Sequence, residues 1–303
     1  MFKAIKAGLA VALLLAGEAW SAQYLIGFAQ DTLGNDWRLA QVKAVERELS
    51  KHPNVRFIYT DGQGDTALQI KHIEDLVAQG IDLLITSPRD KLALSRVVQH
   101  VHEQGIPVVL LSRNVETTSY TTFVHIDDRQ IAKAAAEYIA RLLDGKGMVL
   151  ILEGIPSTST AIQRTESFLE VMRKHSDIKL IRRVGNYLRS DTIVQMESLL
   201  ATGQQIDAIY AHSDSMATGA RMALKLHGID PRRIPIVGID YISEAQRAIR
   251  EGEQLLSYTY PTGGEEGARA AMKILSGGVV PKQILLNSIP VTRENVDTVE
   301  PIF

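Results

Sequence analysis

The sequence predicts an α/β protein of two doubly wound, Rossmann-like lobes, each a parallel sheet covered by helices. Three observations carry this. Short apolar, β-branched runs alternate with amphipathic helical stretches along almost the whole chain, the pattern of βαβ winding. The length, 303 residues, suits two domains. A motif near residue 80 also returns near residue 205, as two similarly wound halves require.

Tyr24–Ala29 reads as the first strand, followed by a helix whose inward face is Leu39, Val42, Val45 and Leu49. Val55–Thr60 is β-branched and aromatic and ends in the turn formers Asp61-Gly62-Gln63-Gly64-Asp65. Asp65 or Thr66 caps the next helix, which turns Ile70, Ile73 and Val77 inward and stops at Gly80. Asp82–Ser87 is a short buried strand; a helix runs to His102, and Val108–Leu111 is the next strand. Further strands are expected near Phe123–Ile126, Met148–Glu153, Ile178–Val184, Ala208–Ala211 and Ile234–Asp240. Helices fall between them near Gln130–Leu143, Ala161–His175, Asp191–Ala201 and Ser215–Leu226.

The repeat is specific in its order. Gly80-Ile81-Asp82-Leu83-Leu84-Ile85 precedes a helix and then Ile106-Pro107, while Gln205-Ile206-Asp207-Ala208-Ile209-Tyr210 precedes a helix and then Ile234-Pro235. No Pro/Gly/Ser-rich linker divides the halves, so strand crossovers are expected to join them.

Composition narrows the function. A net charge of −2 gives no basic face for nucleic acid, and the absence of Cys excludes thiol catalysis, Cys metal sites and disulfides. Residues 1–22 have the three parts of a secretory signal: Lys3 and Lys6, the apolar run Ala7–Ala16, and small residues at Ala19 or Ala22 for cleavage. A periplasmic location and a soluble, monomeric mature chain are therefore expected. The GxSxG elbow, HExxH, the Walker loop and a GxGxxG after the first strand are all missing, and the eight His are scattered. Binding therefore leads catalysis, with no metal and no cofactor expected.

In open parallel sheets, ligands bind beyond the carboxyl ends of strands. The loops there hold Asn35, Asp36, Trp37 and Arg38, then Arg89, then Ser112 and Arg113, then Asp127 and Asp128. In the second half they hold Thr160 with Arg164, Tyr187 with Arg189, Ser213 with Asp214, and Asp240. Converging guanidiniums can grip oxygens, Asp127, Asp214 and Asp240 can accept from hydroxyls, and the Trp37 face can stack on a sugar ring. Thr259, at a crossover, completes the candidate ligand set. Asp36, Ser190 and Asp214 could equally serve only as helix caps.

At these loops the chain resembles the periplasmic sugar-binding proteins of the ribose/galactofuranose group, the type I solute receptors of ABC importers. The likeness to the galactofuranose type rests on Ile26-Gly27-Phe28-Ala29-Gln30, Asp36-Trp37-Arg38, Thr60-Asp61-Gly62-Gln63 and Val77-Ala78-Gln79-Gly80-Ile81-Asp82. Tyr210-Ala211-His212-Ser213-Asp214-Ser215-Met216-Ala217-Thr218-Gly219-Ala220 and Val237-Gly238-Ile239-Asp240 extend it through the second half. The resemblance implies that Trp37, Arg38 and Arg113 contact sugar from the first lobe. It implies the same of Arg164, Arg189 and Asp240 from the second, places Asp127 at the first hinge crossing, and puts Tyr187 where phenylalanine is common. Ser112-Arg113 stands where the family commonly has Asp-Arg, and Ser213-Asp214 where it has Asn-Asp. These departures leave room for a larger ligand or a bridging water. Arg113 should also lack its usual neighbouring anion, which together with Arg89 raises an acidic or phosphorylated sugar.

The resemblance implies three crossovers, near 125–128, 256–261 and 287–290. The first lobe is then 23–125 plus 260–288, and the second 126–259 plus 289–303. The expected partners are a small sugar and either a membrane ABC permease or the periplasmic domain of a sensor kinase. A secreted carbohydrate-active enzyme using Asp127, Asp214 or Asp240 is the alternative from another class.

Overall fold

Two six-stranded sheets organise the chain, and the computed structural model describes residues 24–303. The expected signal segment lies outside the described residues. The first half runs β1 (Tyr24–Gln30), α1 (Asp36–Leu49), β2 (Val55–Asp61), α2 (Thr66–Ala78), β3 (Leu83–Thr86), α3 (Ala93–Glu103), β4 (Val108–Leu111) and β5 (Thr122–His125). The second runs α4 (Asp128–Leu142), β6 (Lys146–Glu153), α5 (Ser159–Met172), β7 (Asp177–Val184), α6 (Arg189–Leu200), β8 (Ala208–Ala211), α7 (Asp214–Leu226), β9 (Ile236–Asp240), α8 (Ser243–Glu251) and β10 (Leu256–Thr259). The tail adds α9 (Gly264–Leu275), β11 (Gln283–Leu285) and β12 (Pro290–Val291).

The strand orders are β11-β5-β4-β3-β1-β2 and β12-β10-β9-β8-β6-β7. Every pairing is parallel except the short edge β12 against β10. β3, β4, β8 and β9 are buried along their whole length, which is why they read as unbroken apolar runs. Each sheet carries a hydrophobic cluster on both faces. Leu39 differs from expectation: it is 40 % exposed, and the inward face of α1 is Val42, Val45 and Leu49.

The sequence repeat is a structural repeat. The Asp82 carboxylate accepts from the Leu25 amide, while the Asp82 amide donates to the Leu25 carbonyl, clamping the start of β3 to β1. Asp207 does the same with Met148, clamping β8 to β6. The Pro107 and Pro235 carbonyls accept from Leu84 and Ile209 at matching positions on the other side.

The halves exchange one helix each. After β5 the chain leaves the first sheet and forms α4, which packs on α5; after β10 it leaves the second and forms α9, which packs on α1. With the passage from β11 to β12, three segments run between the lobes. Asp82→Ala and Asp207→Ala should each lower stability by about 1 kcal/mol, the worth of a partly exposed clamp. Urea denaturation checks this, and markedly unequal losses would show that the two clamps are not equivalent.

Candidate functional site

Both sheets end their central strands at one cavity of about 320 Å³, walled by loops from both lobes. It lies beyond the carboxyl ends of β1, β3 and β4 on one side and of β6, β8 and β9 on the other, where doubly wound sheets place ligands.

The first wall is built on Asp31, which follows β1 and is fully buried. Arg113 Nη1 donates to Asp31 Oδ2 at 2.7 Å, Arg38 Nε lies 3.5 Å from Oδ1, and Arg89 Nη1 lies 3.9 Å from Oδ2. Burial pushes the Asp31 carboxyl up, but Arg113, Arg38 and Arg89 together more than offset this and hold it below its ordinary range. Arg38 is pulled down to about 10 by burial and then by the Arg113 charge. Its Nη1 donates to Ser87 Oγ at 2.6 Å and Ser112 Oγ at 3.0 Å.

Two expectations change here. Arg113 does have an anionic neighbour, because Asp31 on β1's loop supplies the carboxylate absent at Ser112. Ser112 itself sits behind the wall as a partner of Arg38 and does not line the cavity.

The second wall is held by a chain of buried polar contacts. Arg164 Nε donates to Asp128 Oδ1 at 2.6 Å, Arg164 Nη1 donates to the His212 carbonyl, and Tyr260 Oη donates to Asp128 Oδ2 at 3.1 Å. The Arg164 guanidinium also lies 4.5 Å from the Tyr260 ring centre. Tyr187 Oη hydrogen-bonds Thr160 Oγ1 at 3.0 Å, and the Tyr187 ring faces Arg113 across the cavity at 5.6 Å. That ring occupies the space a side chain on Gly154 would need, with Cζ 1.9 Å from an ideal Cβ. Only glycine there lets Tyr187 lie against the wall. Ser213 caps α7 and lines the cavity as well.

Asp240 closes the floor. It has a left-handed backbone, φ 118°, as does Tyr241 at 60°, so this turn is strained. Asp214 holds the turn in place: its carboxylate accepts from the Tyr241 amide at 2.6 Å, Ser257 Oγ at 2.5 Å and Gln254 Nε2 at 2.7 Å. Burial raises Asp214 to about 6. Burial, opposed by Arg164 but reinforced by the Asp214 charge, raises the Asp240 carboxyl well above the usual range.

Trp37 is 5 % exposed and lines the cavity, its indole Nε1 donating to the Tyr260 carbonyl at 3.1 Å. It packs with the core on the α4/α5 face of the second sheet, so it is a buried strut at the crossing as well as a cavity wall.

Three other candidates fall outside the cavity, and a fourth, Asn35, lies on its wall. Asp127 is the exposed N-cap of α4, accepting from the Arg129 and Gln130 amides, and its neighbour Asp128 is the carboxylate at the site. Thr259 Oγ1 accepts from the Ile289 amide at the crossing, outside the cavity. Arg189 bridges the lobes at the mouth, 2.6 Å from Asp36 Oδ2 and 2.8 Å from Glu244 Oε2. Asn35 caps α1 through Oδ1 and donates through Nδ2 to the Tyr187 carbonyl at 2.8 Å, a second bridge at the cavity wall. Neither Asp36 nor Asp214 is the capping residue of its helix.

Asp128 is one of the strand-end loop residues named from the sequence, whereas Asp31 and Tyr260 are not. Asp31 is the first residue after β1, and Tyr260 follows Thr259.

Residues 26–278 match the periplasmic binding protein domain. The chain belongs to that family. Proteins similar to it include the ribose import binding protein of Bacillus subtilis, 31 % identical over 266 residues, which are 86 % of this chain and 85 % of that one. The galactofuranose-binding protein of Escherichia coli is 29 % identical over 296 residues, 94 % of this chain and 93 % of the relative. Among solved structures, a galactofuranose-binding protein superposes with a TM-score of 0.84 at 27 % identity, covering 90 % of this chain and 96 % of the other. The fructose-binding periplasmic domain of a hybrid two-component system gives 0.85 at 29 %, covering 90 % and 92 %. Two α/β lobes, as in these receptors, are the fold of this chain.

Trp37→Ala should cost about 3–5 kcal/mol of unliganded stability, the range for truncating a buried aromatic. Urea denaturation reads this directly, and a loss below 1 kcal/mol would mean the ring is not a strut. Asp240→Asn tests the charge on the floor. Unfolded Asp titrates near pH 3.9, about the ordinary value, while the folded carboxyl titrates well above it. The native protein therefore loses stability as pH rises from about 4 to the folded-state value, and the uncharged variant does not. The variant's melting temperature relative to native should climb between pH 4 and 8; a difference that stays level would remove Asp240 as the titrating group.

Proposed function

We propose that this chain is a periplasmic receptor that captures a monosaccharide between its lobes by hinge closure and delivers it to an ABC importer. The observation that carries the reading is one small cavity faced by guanidiniums of both lobes, Arg38, Arg89 and Arg113 against Arg164. Its volume is at the low end of the roughly 300–1,000 Å³ of small-molecule sites, which suits a single sugar. Fixed donors alternate with the Asp240 acceptor, and Trp37, Tyr187 and Tyr260 supply ring surface, the mixture a polyhydroxylated ring needs.

Closure has a physical basis in the contacts that span the cavity. Asn35 to Tyr187, Arg189 to Asp36 and the Lys91 amide to the Ser157 carbonyl join the lobes only when the cleft is shut. A ligand touching both walls adds differential affinity for that state, which is all that a population shift requires. The closed form then presents one combined surface to a membrane partner.

A sensor role is the second reading, favoured by the likeness to the fructose-binding domain of a two-component system. Catalysis has less support. Asp127 caps a helix at the surface, and all three hydrogen-bonding donors around Asp214 are internal, leaving Asp240 alone at the cavity.

The test uses the indole. On adding ribose, galactofuranose, fructose or arabinose, one sugar should shift Trp37 emission saturably with a micromolar midpoint, about −8 kcal/mol, and be recovered unchanged. Unmoved emission and melting temperature across pentoses, hexoses, furanoses, sugar acids and sugar phosphates would overturn the receptor reading. Capture of an importer permease, and not of a kinase periplasmic domain, by the liganded form would select transport.

A further inference from the structure

We infer that the first wall is an anion subsite and that the preferred ligand is a sugar bearing a carboxylate or phosphate at its Arg89 end. This rests on the receptor reading and adds the charge class of its ligand.

The argument is a count of charges and donors. Arg38, Arg89 and Arg113 crowd a single carboxylate, Asp31, so this wall carries two positive charges in excess. The three are not equally satisfied. Arg38 has Ser87, Ser112 and Gln41 as acceptors. Arg113 spends Nη1 on Asp31, but its Nε is buried with no acceptor among the described residues, and the residue is 1 % exposed and lines the cavity. Arg89 donates no hydrogen bond from its guanidinium, and its nearest carboxylate is at 3.9 Å, beyond hydrogen-bond length. Asp65, the other carboxylate that acts on Arg89, is the exposed cap of α2.

The loop is shaped to leave Arg89 there. Gly64 has φ 74°, and an ideal Cβ on it would lie 3.5 Å from Arg89 Nη1, so the guanidinium lies across the glycine with no side chain over it. One unspent guanidinium, Arg89, beside a second, Arg113, that is only partly satisfied by Asp31, offers the planar, bidentate donor geometry of a carboxylate or phosphate site.

The opposite wall sets the orientation. Arg164 is neutralised by Asp128, and Asp240 presents an acceptor with no counter-ion of its own. The cation left without a hydrogen-bonded partner is Arg89, whereas Arg164 is already paired with Asp128, so the ligand's charge points to Arg89 and its hydroxyls to Asp240. Neutral sugars satisfy the second wall alone.

Matched pairs test this by calorimetry on the mature protein: D-galacturonate against D-galactose, D-ribonate against D-ribose, and D-ribose 5-phosphate to separate phosphate from carboxylate. The expected result is at least a tenfold preference for the acid or the phosphate over its neutral partner. In Arg89→Gln that ratio should fall to near one, and in Arg89→Lys it should be largely kept. Neutral sugars binding as well as or better than every anionic partner would overturn the anion subsite and leave the receptor reading standing. So would a preference unchanged in Arg89→Gln. No heat with any of these sugars, neutral or anionic, would overturn both.

Discussion

Four guanidiniums must be kept charged around one cleft, and the rest of the site is arranged around that requirement. A buried arginine is costly unless a carboxylate stands nearby. Each wall meets the need with a buried carboxylate, Asp31 on the cavity wall for the first lobe and Asp128 behind it for the second. Asp31 can serve because it is the first residue after β1, and Asp128 because it opens α4 at the crossing. The aromatic rings follow from the same constraint. Tyr260 gives Asp128 its second donor, stacks on Arg164, and accepts at its carbonyl from Trp37, so the charge on the second lobe is tied to a ring that α1 sends across from the first.

Much of this was legible in the sequence because burial on both sheet faces writes itself as plain apolar runs. β3, β4, β8 and β9 are such runs, and the repeat around Asp82 and Asp207 gave away the twofold winding. α8, β10, α9, β11 and β12 escaped that reading. β11 and β12 are edge strands of three and two residues, too short for periodicity, and α8 turns only Ala245, Ala248 and Ile249 inward.

The site was legible to the level of loops and less so to the level of side chains. Strand ends named Trp37, Arg38, Arg113, Arg164, Tyr187 and Asp240, because βα loops must point at the cleft. What sequence spacing does not carry is which of two adjacent residues turns inward. Asp128 lies inside while Asp127 caps a helix in solvent, and Tyr260 lies inside while Thr259 bonds a neighbouring strand. The substitution at Ser112 illustrates the same limit: the missing carboxylate is supplied from 81 positions earlier in the chain, at Asp31, a compensation only the fold brings together.

The exchange of α4 and α9 has a consequence for how the chain acquires its structure. The first lobe cannot be completed by its own half, since α9 must cover α1 and β11 must cover the edge of β5, and both come after residue 263. Until they are available, β5 presents a bare strand edge and one sheet face lacks part of its cover. Such long-range closure raises contact order and slows folding. A chain emerging from synthesis therefore stays open until nearly its last forty residues have appeared. That delay keeps the chain an extended polymer for longer than two self-contained halves would allow.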